Sequence, residues 1–339
     1  MKPLLLHYYL TNRCNSRCSF CDIWQSSPKT DASLKDVMLN LELARKAGCR
    51  FVDFTGGEPL LHSELPLFLE KAKSLGFITS VTTNCILFPS LAERLRGLID
   101  LLHFSLDADT AELHDRIRGV ACFDSVMESI RIAQEMKFPL DILFTYTNEN
   151  ISTFEGVYNL ARSHKIMLIL DPVFNTRGRD PVNSPTHTRA LEFSRLKGVY
   201  LNKAHLSLRM QGGNHIRAPL CKAVESTLVI LPDNSLALPC FHHRTFTLPA
   251  GENLMSSLND NIRREALEKQ GRYSFCEGCH INCYFDPSFA LMRNRFFLQS
   301  MSAKASYAWR KYFIYGHALP WKLPWRAAVP RKKIELIHK

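Results

Sequence analysis

An α/β protein with a parallel sheet is the fold class this sequence predicts, on three observations. Short apolar, β-rich runs stand at 4–10, 50–54, 78–82, 101–105, 140–145 and 166–170. Helical patterns fill the intervals near 33–47, 63–75, 89–97, 109–136 and 153–164. Capping residues punctuate them: Asp31 or Ser33 can start the first helix, and Gly48 and Gly76 stand where two of them stop. Strands that alternate with helices imply right-handed crossovers and parallel pairing. Six units repeating about every 28 residues fit a partial (β/α)6 barrel or a doubly wound sheet. The pattern alone does not separate the two.

Downstream, residues 171–215 form a Pro-, Asn- and Arg-rich connection with one helical stretch at 188–198. A different region begins at 216, where "LCKAVESTLVILPDNSLALPCFHH" reads as two short strands around a Pro-Asp-Asn-Ser turn. Cys221 and Cys240 flank that hairpin, and a helical piece at 260–270 leads to "CEGCHINC". Three units are therefore expected: a barrel over 1–215, a cysteine-rich unit over 216–290 and a basic aromatic tail over 291–339.

With 339 residues, 46% of them apolar, and a mean hydropathy of −0.12, the chain is an ordinary globule able to bury a large core. The opening "MKPLLLHYYL" is too short an apolar run for a signal peptide and reads as a first strand. No stretch has the length of a membrane span. Eleven cysteines in such a chain are expected to hold metal in a reducing cytoplasm rather than to pair as disulfides. Charge is uneven. Residues 293–339 carry eleven Lys/Arg against Glu335 alone, a net +10 out of the whole-chain +11.

Cys14, Cys18 and Cys21 follow directly on the first strand. They lie in the loop after a strand's C-terminal end, where barrel active sites collect. The C-x3-C-x2-C spacing lets three soft thiolates face one Fe–S cluster or zinc ion. As a zinc knuckle, the set would need His7 or Asp22 as its fourth ligand.

The same loop, with Phe20 before the last cysteine, resembles the cluster loop of radical S-adenosylmethionine (SAM) enzymes. Other stretches agree in order: "TGGEP" (55–59) after the second strand, "TTN" (82–84) after the third and "FSLDADTAELHDRIRG" (104–119) after the fourth. The resemblance implies a partial (β/α)6 TIM-like barrel. It further implies a [4Fe-4S] cluster on Cys14, Cys18 and Cys21, whose open iron takes the amino and carboxylate groups of SAM. Gly56 and Gly57 would admit the methionine end of SAM, Glu58 would accept from its ammonium, and Asn84, Ser105 and Asp107 would lie near the ribose. Arg118 would lie near the SAM carboxylate, with Phe20 beside the cluster. Read alone, Ser105 and Asp107 could cap a helix and Arg118 could be a solvated charge. Cys85 stands where the family often has glycine and is expected to be inert packing. Cys49 and Cys122 read as structural.

Cys276, Cys279 and Cys283, with Cys221 and Cys240, resemble the cluster-binding SPASM extension or its shorter twitch form. Five thiols without a downstream partner imply one auxiliary [4Fe-4S] cluster with one thiol to spare; Cys221, Cys240, Cys276 and Cys279 are the favoured ligands, and the place of Cys283 is left open. A structural zinc, helped by His242, His243 or His280, is the alternative.

The tail mixes Trp309, Trp321, Trp325 and six Phe/Tyr with cations, while Pro320, Pro324 and Pro330 exclude one long helix. It can pack on the barrel, lie in a bilayer interface or meet nucleic acid. The resemblance implies reductive cleavage of SAM to a 5′-deoxyadenosyl radical, which takes hydrogen from an unactivated C–H bond. The expected role is oxidation, hydroxylation or rearrangement of a hydrophobic intermediate: a tetrapyrrole such as bacteriochlorophyllide, an isoprenoid or a lipid. Maturation of a ribosomal peptide is the second reading, weighed against by a first strand that starts at residue 4. A non-catalytic Fe–S or zinc partner-binding protein is the third. Expected partners are a low-potential donor of flavodoxin or ferredoxin type and a hydrophobic small molecule. Peripheral membrane contact through the tail is weighed with them, and nucleic acid is not expected.

Overall fold

A computed structural model describes residues 2–176 and 180–320. β1 (Leu5–Thr11), β2 (Phe51–Gly56), β3 (Ile78–Thr83), β4 (Leu101–Ser105), β5 (Leu140–Tyr146) and β6 (Met167–Pro172) lie side by side in chain order, all parallel. The crossovers carry α1 (Leu34–Ala47), α2 (Leu65–Ser74), α3 (Phe88–Leu95), α4 (Ala111–Arg118), α5 (Phe123–Glu135) and α6 (Phe154–Ser163). The sheet is not closed, and the architecture is the partial (β/α)6 barrel. Its strands are apolar because helices cover them. Phe88 of α3, for instance, meets Phe104 of β4 edge-on at 4.7 Å, and burying each such ring contributes about 1.5–3 kcal/mol.

Ser33 caps α1 by accepting the Asp36 amide (3.1 Å), whereas Asp31 is held by Arg13 (2.9 Å from Nε). The single helix expected over 109–136 is two. Gly119 turns left-handed (φ 66°) after Arg118, and a β-carbon there would meet the Arg17 carbonyl at 2.5 Å. Glycine thus lets the end of α4 press against the cysteine loop. Asp115 then accepts the amides of Cys122 and Phe123 (both 2.9 Å) and starts α5.

Beyond β6, α7 (Ser184–Phe193) begins four residues earlier than the pattern suggested, because Asn183 accepts the Thr186 amide (2.9 Å). β7 (Val199–Tyr200) extends that edge of the sheet, and α8 (Lys203–Met210) follows, capped by Asn202. At the opposite edge β8 (Thr227–Ile230) pairs in parallel with β1 and continues through antiparallel β9 (Ser235–Leu238) and β10 (Phe246–Pro249). The expected hairpin therefore belongs to the same ten-stranded sheet as the barrel. Buried Asn40 of α1 ties it down, donating to Tyr8 (2.9 Å) and Asn234 (2.8 Å) and accepting the Gly251 amide (2.7 Å).

Short helices α9 (Ala223–Ser226), α10 (Leu254–Leu258), α11 (Asn261–Lys269) and α12 (Asn282–Phe289) lead to α13 (Arg295–Ala308) and a π-helical turn, Trp309–Ile314. One side of this last element is buried. Phe296 packs on Phe289, and Lys311 reaches Asp141 of β5 (2.5 Å), the Pro139 carbonyl (3.0 Å) and Tyr307 (2.9 Å). The other side exposes Leu298, Trp309, Phe313 and Ile314. Trp321, Trp325 and the basic run at 331–333 lie outside the described residues. No helix among the described residues is long and apolar enough to cross a membrane.

Candidate functional site

The cysteine loop leaves β1 and is clamped against α4, with the Arg17 and Ser19 amides donating to the Arg118 and Ile117 carbonyls (2.9 and 3.0 Å). The Ser16 amide points at Cys14 Sγ (3.5 Å), and Arg118 Nη1 lies 3.7 Å from Cys18 Sγ. Burial pushes the Cys14 thiol up to about 11, and the Cys18 and Cys21 thiols nearby push it the same way. Cys21 is raised too, mainly by burial. A metal entering here displaces protons.

"TGGEP" forms a shelf beneath that loop. A β-carbon on Gly56 would meet the Thr11 carbonyl at 2.1 Å, and one on Gly57 the Arg13 carbonyl at 1.9 Å. The glycines are thus required by the approach of the loop's own backbone, a steric demand that the motif reading had assigned to a ligand. Glu58 is buried and accepts from the Leu60 amide (3.1 Å), Thr83 Oγ1 (2.8 Å) and the Asn84 amide (2.9 Å). Asn84 in turn donates to Asn15 Oδ1 (2.7 Å) and Ser16 Oγ (2.9 Å), joining β3 to the cysteine loop.

Arg118 is not a solvated helix charge. It is buried, pairs with Asp107 (2.5 Å) and lies over the Phe20 ring (5.6 Å). Asp107 also accepts the Thr145 amide (2.8 Å), so its carboxylate is an orienting group for Arg118. Ser105 is buried at the end of β4. Cys85 is buried with φ 71°, the left-handed backbone that explains glycine at this place.

Cys221, Cys240, Cys276 and Cys279 wall one small enclosed cavity together with Tyr284 and Phe285, and Cys283 is not among its walls. Burial raises all four thiols, and each is raised further by at least one of the others or raises it. Cys283 instead lies toward Asp171 and Asp53. Asn214, unmarked in the sequence, organises the ligand loops. Its side chain donates to the Gly271 (2.8 Å) and Cys276 (3.0 Å) carbonyls and accepts the Leu220 (2.9 Å) and Cys221 (3.4 Å) amides.

The zinc alternatives fit poorly. Tetrahedral zinc with 2.3 Å bonds holds its sulfurs about 3.8 Å apart. Among the described residues only His114, Asp115 and Cys122 bring three ligand atoms within 4.8 Å of one another. Even that trio is a structural contact. His114 Nδ1 accepts the Asp107 amide (3.1 Å), so the ring's proton sits on Nε2, facing Cys122 Sγ at 3.4 Å. His7 is engaged elsewhere, paired with Asp53 (3.1 Å). Wider thiol sets suit a multi-iron cluster.

Between the two thiol sets lies a cavity of about 420 Å³, walled by the loop from Ser19 to Gln25, by Thr145 and Asp171–Thr176, and by His242. Asp171 ends β6, and burial raises its carboxyl to about 6. Sequence reasoning missed it. The available signal was a charged residue closing an apolar strand at the barrel's active end.

A Radical SAM superfamily model matches residues 8–161. The chain is 32% identical over 160 residues to a probable GTP 3′,8-cyclase of Sulfurisphaera tokodaii, covering 46% of this chain and 51% of that protein. It is 34% identical over 149 residues to the corresponding protein of Saccharolobus solfataricus, covering 43% and 48%. The chain thus spans about half the length of the curated relatives it matches. Among solved structures, Streptococcus suis SuiB bound to S-adenosylmethionine superposes with a TM-score of 0.64 at 16% identity, covering 87% of this chain and 76% of that one. For anSMEcpe with bound AdoMet the values are 0.62 and 18%, covering 94% and 96%. At such identities these two speak for the fold. Residues 8–161 thus match the Radical SAM superfamily model, and the fold is that of SuiB and anSMEcpe.

Proposed function

We propose that the protein is a radical SAM enzyme in which Cys14, Cys18 and Cys21 hold the SAM-binding [4Fe-4S] cluster. The observation that carries the reading is one loop presenting three thiols, set against Arg118 and above the Glu58 shelf. Glu58 keeps acceptor capacity beyond its three bonds for the SAM ammonium. Arg118, oriented by Asp107, suits a carboxylate. On this reading Gly56, Gly57, Asn84, Ser105 and Phe20 complete the SAM site. When bound, cluster and SAM together supply a 5′-deoxyadenosyl radical that removes hydrogen from an unactivated C–H bond. This chain's residues hold the reactants and keep water out. Four thiols on one closed cavity support an auxiliary [4Fe-4S] cluster on Cys221, Cys240, Cys276 and Cys279, with Cys283 left over. On this reading 1–215 is the radical SAM barrel, 216–290 the auxiliary unit and 291–339 the tail.

The carboxylates of Asp22 and Asp171 and the His242 ring, set among apolar walls of the neighbouring cavity, favour a substrate with a polar group, a peptide included, over the tetrapyrrole, isoprenoid or lipid suggested by the tail. The cyclase relatives match over about half of their own length, so their substrate does not carry over. A low-potential flavodoxin or ferredoxin is the electron donor in a cytoplasmic setting. Membrane contact would rest on the exposed stripe of α13; loss of anionic-liposome binding on truncation after 320 would implicate the cationic stretch beyond it.

The test is anaerobic reconstitution and reduction with SAM. 5′-deoxyadenosine should form, and should vanish in Cys18→Ala. Absence of product together with no SAM-dependent change in the cluster's EPR spectrum overturns the reading.

A further inference from the structure

The cavity between the two thiol sets has a chemistry of its own. Asp171 leaves the end of β6 beside Thr145 of β5, and Asn282 of α12 fixes one of its oxygens (Nδ2 to Oδ1, 2.8 Å). The guanidinium nearest in charge, Arg209, is already bound by Asp180 (2.7 Å from Nε) and by the Pro172 and Val173 carbonyls (3.2 and 2.6 Å). Asp171 therefore faces the cavity without a cation paired to it. Across the cavity stands His242, whose Nε2 is buried and makes no hydrogen bond. A buried polar atom left in that state marks a place where a partner is missing. Asp22 adds a second carboxylate to the walls, and Phe20 and Phe174 supply aromatic faces. Cys21 and Phe20 of the cluster loop border this space, but Gly56, Gly57, Glu58, Asn84, Ser105, Asp107 and Arg118 do not, so it adjoins the groups assigned to SAM and extends past them.

We propose that this cavity is a substrate subsite for a protonated amine, with the ammonium on Asp171, an attached polar group on His242 and the carbon skeleton against Phe20 and Phe174. An amine-bearing side chain or small amine of this kind fits about 420 Å³, whereas a tetrapyrrole macrocycle brings no cation to the half-buried carboxylate. The assignment rests on the radical SAM reading for its meaning in catalysis, but its test is a binding measurement independent of SAM cleavage.

The probes are phenethylamine and its neutral isostere 2-phenylethanol, titrated by calorimetry and saturation-transfer NMR into reconstituted protein saturated with SAM. The amine should bind at least about tenfold more tightly than the alcohol, as a charge-assisted bond to a half-buried carboxylate provides. Asp171→Asn should reduce that ratio to about one while SAM affinity is retained. Equal binding of the two probes to the unaltered protein overturns the proposal, and this arm needs no variant to fold. Complete displacement of the amine by SAM also overturns it, by giving the cavity to the cofactor. Failure of SAM cleavage with the amine preference intact would sink the enzymatic reading alone.

Discussion

Glu58 sits where three hydrogen-bond donors converge, yet burial still raises its carboxyl from 4.5 to about 7. Folded protein holds a proton there that the unfolded chain has released, so stability is fully present below about 4.5 and is lost as pH rises through about 7. Two and a half pH units correspond to about 3 kcal/mol. Glu58→Gln abolishes this titration but turns an NH2 group toward donors. Urea unfolding of metal-free protein at pH 5 and pH 8 should therefore show wild type losing about 3 kcal/mol more than the variant across that interval. Matching losses would mean that Glu58 titrates as it does in water. On the proposed reading SAM would bring an ammonium to this carboxylate, so saturating SAM in reconstituted protein should flatten the wild-type slope. Motif residues such as Glu58 were legible because their chemistry travels in short fixed strings. Asp171 was not, since its meaning depends on Asn282, Asp180 and Arg209, which meet only in the folded chain.

At the scale of elements, the last helix is a plug as well as a surface. Lys311, fully buried on the π-helical turn, pairs with Asp141 of β5, and burial pulls its proton affinity down. Lys311→Met leaves the carboxylate unpaired in the core and should cost about 3–5 kcal/mol; adding Asp141→Leu should recover much of it. Additive losses in thermal melts would show that the two groups do not depend on each other. The ligand loops of the auxiliary thiols hang on Asn214 in the same way. Asn214→Ala leaves the Gly271 carbonyl and the Leu220 and Cys221 amides without their partner, while the Cys276 carbonyl keeps the Cys279 amide. It should cost about 3 kcal/mol and lower bound iron from about eight to about four per chain. Unchanged iron would separate Asn214 from cluster retention. All six barrel strands were readable from apolar runs, and the β8–β9 hairpin from its turn, where Asn234 takes the left-handed backbone (φ 61°). That the hairpin would pair with β1 was not readable, because a short buried strand does not name its neighbour.

Across the whole molecule, the cysteine loop separates two faces of opposite charge. Inward lies the cavity with Asp22 and Asp171; outward, Arg13, Arg17, Lys29 and Trp24 surround Cys14 in a shallow pocket. Asp31 neutralises Arg13, but Arg17 and Lys29 stay exposed. On the proposed reading the inner face takes the reactants, which leaves the outer face of the loop to an electron donor. Complementarity then selects a donor with an acidic rim, and steering of this kind acts on the association rate. Arg17→Glu combined with Lys29→Glu should slow cluster reduction by an acidic reduced flavodoxin about tenfold at low ionic strength. Added salt should erase most of the difference. Reduction by dithionite should be unchanged, which separates a docking defect from a damaged cluster. If the double variant takes electrons from flavodoxin at the wild-type rate, the donor docks elsewhere and the outward charge is solvation alone.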